Sequence, residues 1–252
     1  MSGLNLFWVG LAALAAGTVN ALAGGGTLIT FPTLLAFGVP AVAANVTNSV
    51  ALCPGFFGGI LAQLKDLQGQ KKRLWLVVPA GVIGGTLGGW LLLYTGERVF
   101  SQMVPFLILT ASVLLALQVP VRHWLARQTE HHARRLSEKW VALPVGVMAI
   151  YGGYFGAGMS VIVIAIMGLI LDDNLTRLNA LKQTVALATN LAAAILFIAS
   201  GQVVWPVALV MAAGALLGGS LGGRVARWVQ PAQLRWLIAG IGVVVGISYL
   251  MR

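Results

Sequence analysis

The sequence predicts an all-α polytopic membrane protein, and two observations predict this class: its composition and the length of its apolar runs. Of 252 residues, 59% are hydrophobic and only 9% are charged, with a mean hydropathy of +0.91. A soluble domain carries roughly a quarter charged residues and could not bury so much apolar surface in one core. The runs are long enough for spanning helices and lack the alternation of membrane β-strands.

Ten apolar segments divide the chain, five in each half. They lie near residues 4–23, 27–38, 42–64, 74–95 and 99–119, and then near 141–155, 158–171, 175–199, 202–223 and 233–251. Segments 27–38 and 158–171 would form helices of about 18 and 21 Å, short of the roughly 30 Å hydrocarbon core. Each follows a glycine-rich break, GGG at 24–26 or GGYFGAG at 152–158. The pattern predicts glycine-broken or re-entrant short helices.

Three landmarks recur at nearly one offset, which predicts two homologous repeats. The pairs are GGTLGG (84–89) with GGSLGG (218–223), NALAGGGTLI (20–29) with GGYFGAGMSV (152–161), and TNSVAL (47–52) with KQTVAL (182–187). Their offsets are 134, 132 and 135 residues. We therefore predict a first transmembrane repeat over residues 1–120, a linker over 121–140 and a second repeat over 141–252. Small residues four apart let helices approach closely, so packing is the expected role of GGTLGG and GGSLGG.

The basic residues predict the orientation of the chain. A net charge of +10 could indicate nucleic-acid binding, but the basic residues lie between apolar runs, so nucleic acid is not expected as a partner. With five elements in each half, thirteen of the sixteen Lys and Arg fall on one side, in segments 65–73, 122–140, 172–177 and 224–235. The positive-inside rule makes this side, including linker 121–140, cytoplasmic. The two repeats are then inverted, as in many secondary transporters.

The glycine breaks predict an anion site. Non-helical backbone at membrane depth must be buried in protein or line a wet cavity, and a helix that starts there exposes N–H groups at the positive end of its dipole. Two such ends facing each other would form an electropositive cup for an anion. The residues of this cup are Gly24, Gly25, Gly26 and Thr27 in the first half and Gly156, Gly158 and Ser160 in the second. The alternative is that these glycines serve only close helix packing.

Polar side chains near the breaks complete the predicted substrate site. Asn20 precedes the first break, and the pairs Asn48–Ser49 and Gln183–Thr184 occupy matching positions in the two repeats. Buried amides and hydroxyls need hydrogen bonds, so such a cluster invites a ligand, although a single Ser or Thr can bond to its own helix backbone instead.

Charged residues set the sign of the expected substrate. Lys182, about two turns into its helix, either snorkels to the interface or neutralises a bound anion. All six Asp and Glu residues lie in or near loops, which counts against an intramembrane carboxylate relay and against a bare metal cation. No nucleotide loop, nucleophile with a base or redox centre is present in the sequence. An enzyme, a metal site and a cofactor are therefore not expected.

The sequence resembles a known family in two blocks. They are AGGGTLITFPTLLAFGVPAVAANVTNSVAL and GGYFGAGMSVIVIAIMGLILDDNLTRLNALKQTVALATNL, with a basic segment after the first. Together these are similar to the sulfite exporter family TauE/SafE, also called the toluene sulfonate uptake permeases. The second block has FGAG where the family has a run of glycines, so the two half-sites are expected to be unequal.

The resemblance implies a function. It implies a multi-pass carrier of the prokaryotic inner membrane that moves small sulfur-containing anions, such as sulfite or an organosulfonate, as a secondary transporter. We expect export by alternating access, with the small anion and the lipid bilayer as partners. An anion channel and a membrane enzyme or non-transporting scaffold are the alternatives, and a homodimer stays open.

Overall fold

The computed structural model describes residues 2–22, 25–61, 63–128, 137–225 and 231–251. Helices and short 3-10 turns make up the regular structure of these residues, which contain no strand. The helices are α1 (Gly3–Leu22), α2 (Thr27–Ala36), α3 (Ala41–Leu61), α4 (Lys71–Gln128), α5 (Ala142–Tyr154), α6 (Met159–Ile170), α7 (Leu175–Ala199), α8 (Trp205–Val225) and α9 (Pro231–Leu250).

These helices confirm the predicted class of an all-α polytopic membrane protein. Among the described helices, four are long and apolar enough to cross a bilayer: α1, α4, α7 and α9. The two short helices also form where the sequence places them, each directly after a glycine break. Helix α2 has 10 residues and α6 has 12, so they are about 15 and 18 Å long at 1.5 Å per residue.

Helix α4 contains both predicted segments, 74–95 and 99–119, and extends past the second. It consists of two helical parts between Lys71 and Gln128, which meet at Gly96, where φ is 71° and ψ is 172°. Its second part also runs past residue 119, the predicted end of the fifth segment, and into the predicted linker. Burial explains the extension, because Leu125 is buried and packs on Gly168 of α6. Pro120 removes one backbone donor without ending the helix.

Close packing is confirmed as the role of the first glycine motif and of Gly218 in the second. In α4, a Cβ on Gly84 or Gly88 would overlap the carbonyl oxygen of Gly146 or Ile150 in α5. In α8, a Cβ on Gly218 would overlap the Leu14 carbonyl oxygen of α1. The fourth spanning segment of each half therefore packs on the first helix of the other half. Contact positions rise together in both pairs, so the paired helices run parallel.

We expect Gly88→Ala to destabilise the protein strongly. The added Cβ would overlap the Ile150 carbonyl oxygen and lie 2.7 Å from the Tyr154 nitrogen, and neither is a movable side-chain end. Overpacking of this kind costs about 1–3 kcal/mol, which should lower the midpoint of thermal unfolding of the detergent-solubilised protein. Gly240→Ala in α9 is the control, because nothing lies within 4 Å of its Cβ position. Equal midpoints for the two variants would contradict this packing.

One end of the helical bundle gathers three of the basic segments. Arg73 forms ion pairs with Glu138 and Asp173, and Gln70 donates from Nε2 to the Arg177 carbonyl oxygen at 3.2 Å. Segments 63–73, 137–141 and 172–177 therefore lie together, and we call this region the basic end. Of the fourth basic segment, 224–235, residues 226–230 fall outside the described part of the chain.

Electrostatics stabilise the basic end. Burial alone would raise the pKa of Asp173, but hydrogen bonds from Arg177, the Asn174 N–H and Arg73 outweigh it and hold this pKa below its ordinary value. Asp173 therefore stabilises the fold above its unfolded pKa, and this contribution is lost as pH falls through the lower folded value.

The opposite end of the bundle is defined by the turns at residues 37–41, 96–97 and 200–204. Both carboxylate oxygens of Glu97 accept hydrogen bonds from the first turn of α3, from the N–H groups of Ala41 and Val42. A carboxylate at a helix N-terminus is favourable because it meets the positive end of the dipole. Thr47 accepts from the Val204 N–H at 3.0 Å, which ties α3 to the turn before α8.

Candidate anion-binding cavity

A cavity of about 500 Å³ lies where the two glycine breaks meet. Five helices supply its walls, namely α1, α3, α4, α7 and α8, together with the starts of α2 and α6. Its lining includes eight of the residues predicted from the sequence: Asn20, Gly25, Thr27, Gly156, Gly158, Ser160, Lys182 and Gln183. Gly25 and Ala157, which are 132 residues apart in the chain, therefore line the same cavity.

The first break is held in place by Asn20. Its Oδ1 accepts a hydrogen bond from the Gly26 N–H at 2.7 Å, which leaves the side-chain NH2 as the group that Asn20 can offer to the cavity. Gly25 has φ +92°, a left-handed conformation that favours glycine. Helix α2 begins two residues later at Thr27, which lines the cavity, while the N–H groups of Leu28 and Ile29 in its first turn donate to the carbonyl oxygens of Gly25 and Gly26.

The second break is held by a different side chain with the same role. The hydroxyl of Tyr151 donates to the Ala157 carbonyl oxygen at 2.6 Å. Gly156 and Gly158 both have φ +81°, and α6 begins at Met159. Ser160, in the first turn of α6, lines the cavity. Each break is thus fixed by one polar residue from the helix before it, an amide in the first half and a phenol in the second.

Two turns of α4 bring the breaks together. Leu115 packs on Gly25, with its Cδ2 2.9 Å from the position that a Cβ would take there. Leu114 and Ala111 pack on Gly158 in the same way, at 3.2 and 3.3 Å. Because residues 111, 114 and 115 are three and four apart, they share one helix face. The break geometry therefore depends on this face of α4.

The charge of the cavity is positive. Lys182 is buried, with 6% of its surface exposed, and it is the one charged residue among those that line the cavity. No Asp or Glu belongs to the described lining. The first turns of α2 and α6 add the positive ends of two helix dipoles. In the described part of the chain, no group of three or more His, Cys, Asp or Glu residues could hold a metal ion. This arrangement suits a small anion.

Four predicted site residues do not line the cavity. Asn48 is buried under α2 and accepts a hydrogen bond from the Thr30 hydroxyl. Thr184 donates to the Ala180 carbonyl oxygen of its own helix. The Gly26 N–H already donates its hydrogen bond to Asn20. Ser49 lies on α3 but is not among the residues that line the cavity. The remaining predicted residue, Gly24, falls outside the described residues.

Sequence reasoning missed two glutamines of the lining. Gln63 follows α3, and Gln118 lies near the end of the fifth apolar segment. An amide inside an apolar run was the available signal for Gln118. Repeat matching could not detect it, because the residues found 132 to 134 positions later, Leu250, Met251 and Arg252, carry no amide.

An aromatic cluster joins α2, the second part of α4 and the end of α5. The cluster consists of Phe31, Phe100, Tyr154 and Phe155, all buried. The ring centroid of Phe31 lies 5.3 Å from that of Phe155 and 6.3 Å from that of Phe100, and the Phe100 and Tyr154 centroids are 5.6 Å apart. Phe31 lies midway along α2 and Phe100 one turn after Glu97, so the cluster lies between the breaks and the opposite end. Cavity residues such as Gln63 and Lys182 lie near the basic end instead.

A helical membrane fold with a positively charged cavity is characteristic of the polytopic membrane transporters. The chain belongs to the sulfite exporter TauE/SafE family, whose model matches residues 9–249. The resemblance stated from the two sequence blocks is therefore confirmed.

Relatives named as transporters cover most of this chain. A protein from Haemophilus influenzae, named "Probable membrane transporter protein", is 31% identical over 221 residues, which is 87% of this chain and 83% of the relative. The "Probable membrane transporter protein YfcA" from Escherichia coli K12 is 25% identical over 97% of this chain and 88% of its own length. The "Probable membrane transporter protein ORF9" from Sinorhizobium sp. is 25% identical over 96% of this chain and 89% of its own length.

Proposed function

We propose that the chain is a secondary transporter that exports a small sulfur-containing anion, such as sulfite or an organosulfonate, across the inner membrane. One observation carries this proposal: both glycine breaks and Lys182 line one cavity that no described carboxylate lines. The positive end of a helix dipole and an ammonium group both attract oxyanions, and they need no metal ion to do so.

The proposed path of the substrate follows from the position of the cavity. The cavity lies toward the basic end, which the positive-inside rule makes cytoplasmic, together with the linker at 121–140. We infer that the aromatic cluster, which lies between the breaks and the opposite end, blocks the way from the cavity to that end. This structure then corresponds to the inward-facing state of a carrier, and transport requires a second state in which the cluster separates and the basic end closes.

The exchange of helices between the halves supports this alternation. Because α1 packs on α8 and α5 on the first part of α4, each half is bound to the other through its first and fourth spanning segments. If the two repeats are inverted, as we propose, exchanging their conformations would convert an inward-facing cavity into an outward-facing one. A closed aromatic cluster also favours a carrier over a continuously open channel.

Cavity filling tests the function without disturbing the fold. Gly219 of α8 lines the cavity and has nothing within 4 Å of its Cβ position, so Gly219→Leu should fold and fill the hollow. We expect purified protein in liposomes to carry radiolabelled sulfite with saturation, and Gly219→Leu to reduce the rate at least about tenfold, the effect of roughly 1.4 kcal/mol. Gly240→Leu, equally open and on the outer face of α9, is the control and should transport normally.

Other results would support other functions. Flux that increases linearly with sulfite concentration, without saturation, would indicate an anion channel. Absence of flux with sulfite, thiosulfate, sulfoacetate and methanesulfonate alike would favour a scaffold and contradict the proposed transport. Normal transport by Gly219→Leu would mean that the substrate does not pass through this cavity.

A further inference from the structure

Gln118 is a buried polar residue of the cavity whose hydrogen bonding is incomplete. It lies on α4, only 2% of its surface is exposed, and it is part of the cavity lining. Its Oε1 is fully buried and has no hydrogen-bond partner. A buried carbonyl oxygen without a donor costs free energy, and a turn of the side-chain amide would bring this oxygen to the cavity that Gln118 lines, where a ligand can supply the missing donor.

Location distinguishes Gln118 from the other unpaired groups. In the described part of the chain, the Asn45, Gln70 and Thr189 side chains also have a buried oxygen without a partner. None of these three residues lines the cavity. Asn45 and Gln70 also use their NH2 groups to hold backbone carbonyls, which explains why they are buried. Gln118 makes no such bond that would account for its burial.

The face of α4 that carries Gln118 also contacts both breaks. Leu114 packs on Gly158 and Leu115 packs on Gly25. Gln118 follows them by four and three residues, so it lies one turn further along the same face. Its amide therefore borders the space between the two helix N-termini, where the proposed function places the anion.

The charges of the cavity limit the charge of its ligand. One ammonium group, that of Lys182, lines the cavity, and no second cation of the described lining would balance a dianion. A carbonyl oxygen repels anionic oxygens but accepts a hydrogen bond from a protonated one. A site with one cation, the positive ends of two helix dipoles and one buried acceptor is therefore complementary to a monoanion that carries an O–H group.

We propose that Gln118 is a specificity-determining residue that selects a singly protonated oxyanion, such as hydrogen sulfite, over anions without a hydrogen-bond donor. Its Oε1 accepts the O–H group of the substrate, while the starts of α2 and α6 and Lys182 bind the anionic oxygens. This inference rests on the proposed function and specifies the protonation state of its substrate. Lys182 is the one titratable side chain of the described lining. The O–H proton that Gln118 binds therefore arrives on the substrate and does not come from another side chain of the cavity.

Binding of two monoanions tests the role of Gln118. Purified protein is titrated at mildly acidic pH, where sulfite is mostly singly protonated, with sulfite and separately with methanesulfonate, which has no donor. We expect the wild type to bind hydrogen sulfite more tightly than methanesulfonate. Gln118→Met, similar in length but without the acceptor, should weaken hydrogen sulfite binding roughly tenfold and leave methanesulfonate binding unchanged, as one lost hydrogen bond predicts. Gln102→Met, exposed on the same helix, should bind both anions like the wild type.

The outcomes separate the two proposals. If the wild type binds both anions equally, or if Gln118→Met weakens both equally or neither, the role of Gln118 is overturned while anion binding at the cavity stands. If the wild type binds neither anion and transports no sulfur oxyanion, the proposed function itself fails.

Discussion

Replacing Lys182 with glutamine is expected to abolish saturable sulfite transport while leaving the protein folded. Lys182 is the one charged residue of the described cavity lining, and it is almost fully buried. A cavity that takes an anion out of water must supply opposite charge, because an uncompensated buried charge costs several kcal/mol. Loss of even about 3 kcal/mol of this compensation would lower affinity more than a hundredfold.

The measurement is sulfite uptake into liposomes as a function of concentration, together with binding to the purified protein. Lys72→Gln is the matched control, because it removes the same charge from an exposed position at the start of α4. The control should keep its transport rate, which would separate a local effect in the cavity from a change in net charge. Uptake by Lys182→Gln with an unchanged half-saturation concentration would assign the lysine to the membrane interface instead.

Replacing Gly25 with alanine is expected to stop transport for a reason distinct from backbone strain. At φ +92°, any side chain is strained by roughly 1–2 kcal/mol. An added Cβ would also lie 2.9 Å from Leu115 Cδ2, so the break would move away from α4 or Leu115 would move out of its place. Since Leu115 and its neighbours position both breaks, we expect the anion cup to be distorted and transport to fall at least about tenfold, which corresponds to 1.4 kcal/mol.

Gly38→Ala separates strain from site geometry. Gly38 has φ +78°, close to that of Gly25, but nothing lies within 4 Å of its Cβ position and it does not line the cavity. Both variants should lose stability in thermal unfolding through backbone strain, Gly25→Ala somewhat more because of its contact with Leu115, and only Gly25→Ala should lose transport. If the two lost transport equally, strain alone would explain the effect and the break would have no special role.

The periodicity and composition of the sequence predict the fold well. Runs of apolar residues locate all the spanning helices, and the lengths of the segments at 27–38 and 158–171 identify α2 and α6 as too short to cross. The repeat offsets predict that Gly25 and Gly158 belong to equivalent breaks, and the structure brings both to one cavity. The inversion of the repeats stays a prediction, although the exchange of α1 and α5 between the halves agrees with it.

The side chains of the site are less predictable, because repeat position does not determine what covers a residue. Asn48 lies one turn before Leu52, which lines the cavity, but α2 lies over it and Thr30 binds its amide oxygen. Thr184 follows the cavity residue Gln183, but its hydroxyl bonds to the backbone of its own helix. Such outcomes depend on how helices that are distant in sequence pack together, and one sequence by itself does not indicate this packing.

The reciprocal packing of α1 on α8 and of α5 on α4 has a consequence for how the protein is made. When the first half has emerged from the ribosome, α1 and the Gly84–Gly88 face of α4 have no partner, because both partners are still to be translated. Until then, the small-residue surfaces of α1 and of the Gly84–Gly88 face of α4 contact only lipid. Protein covers these two surfaces only after α5 and α8 have been inserted, so each half depends on the other to complete its folding.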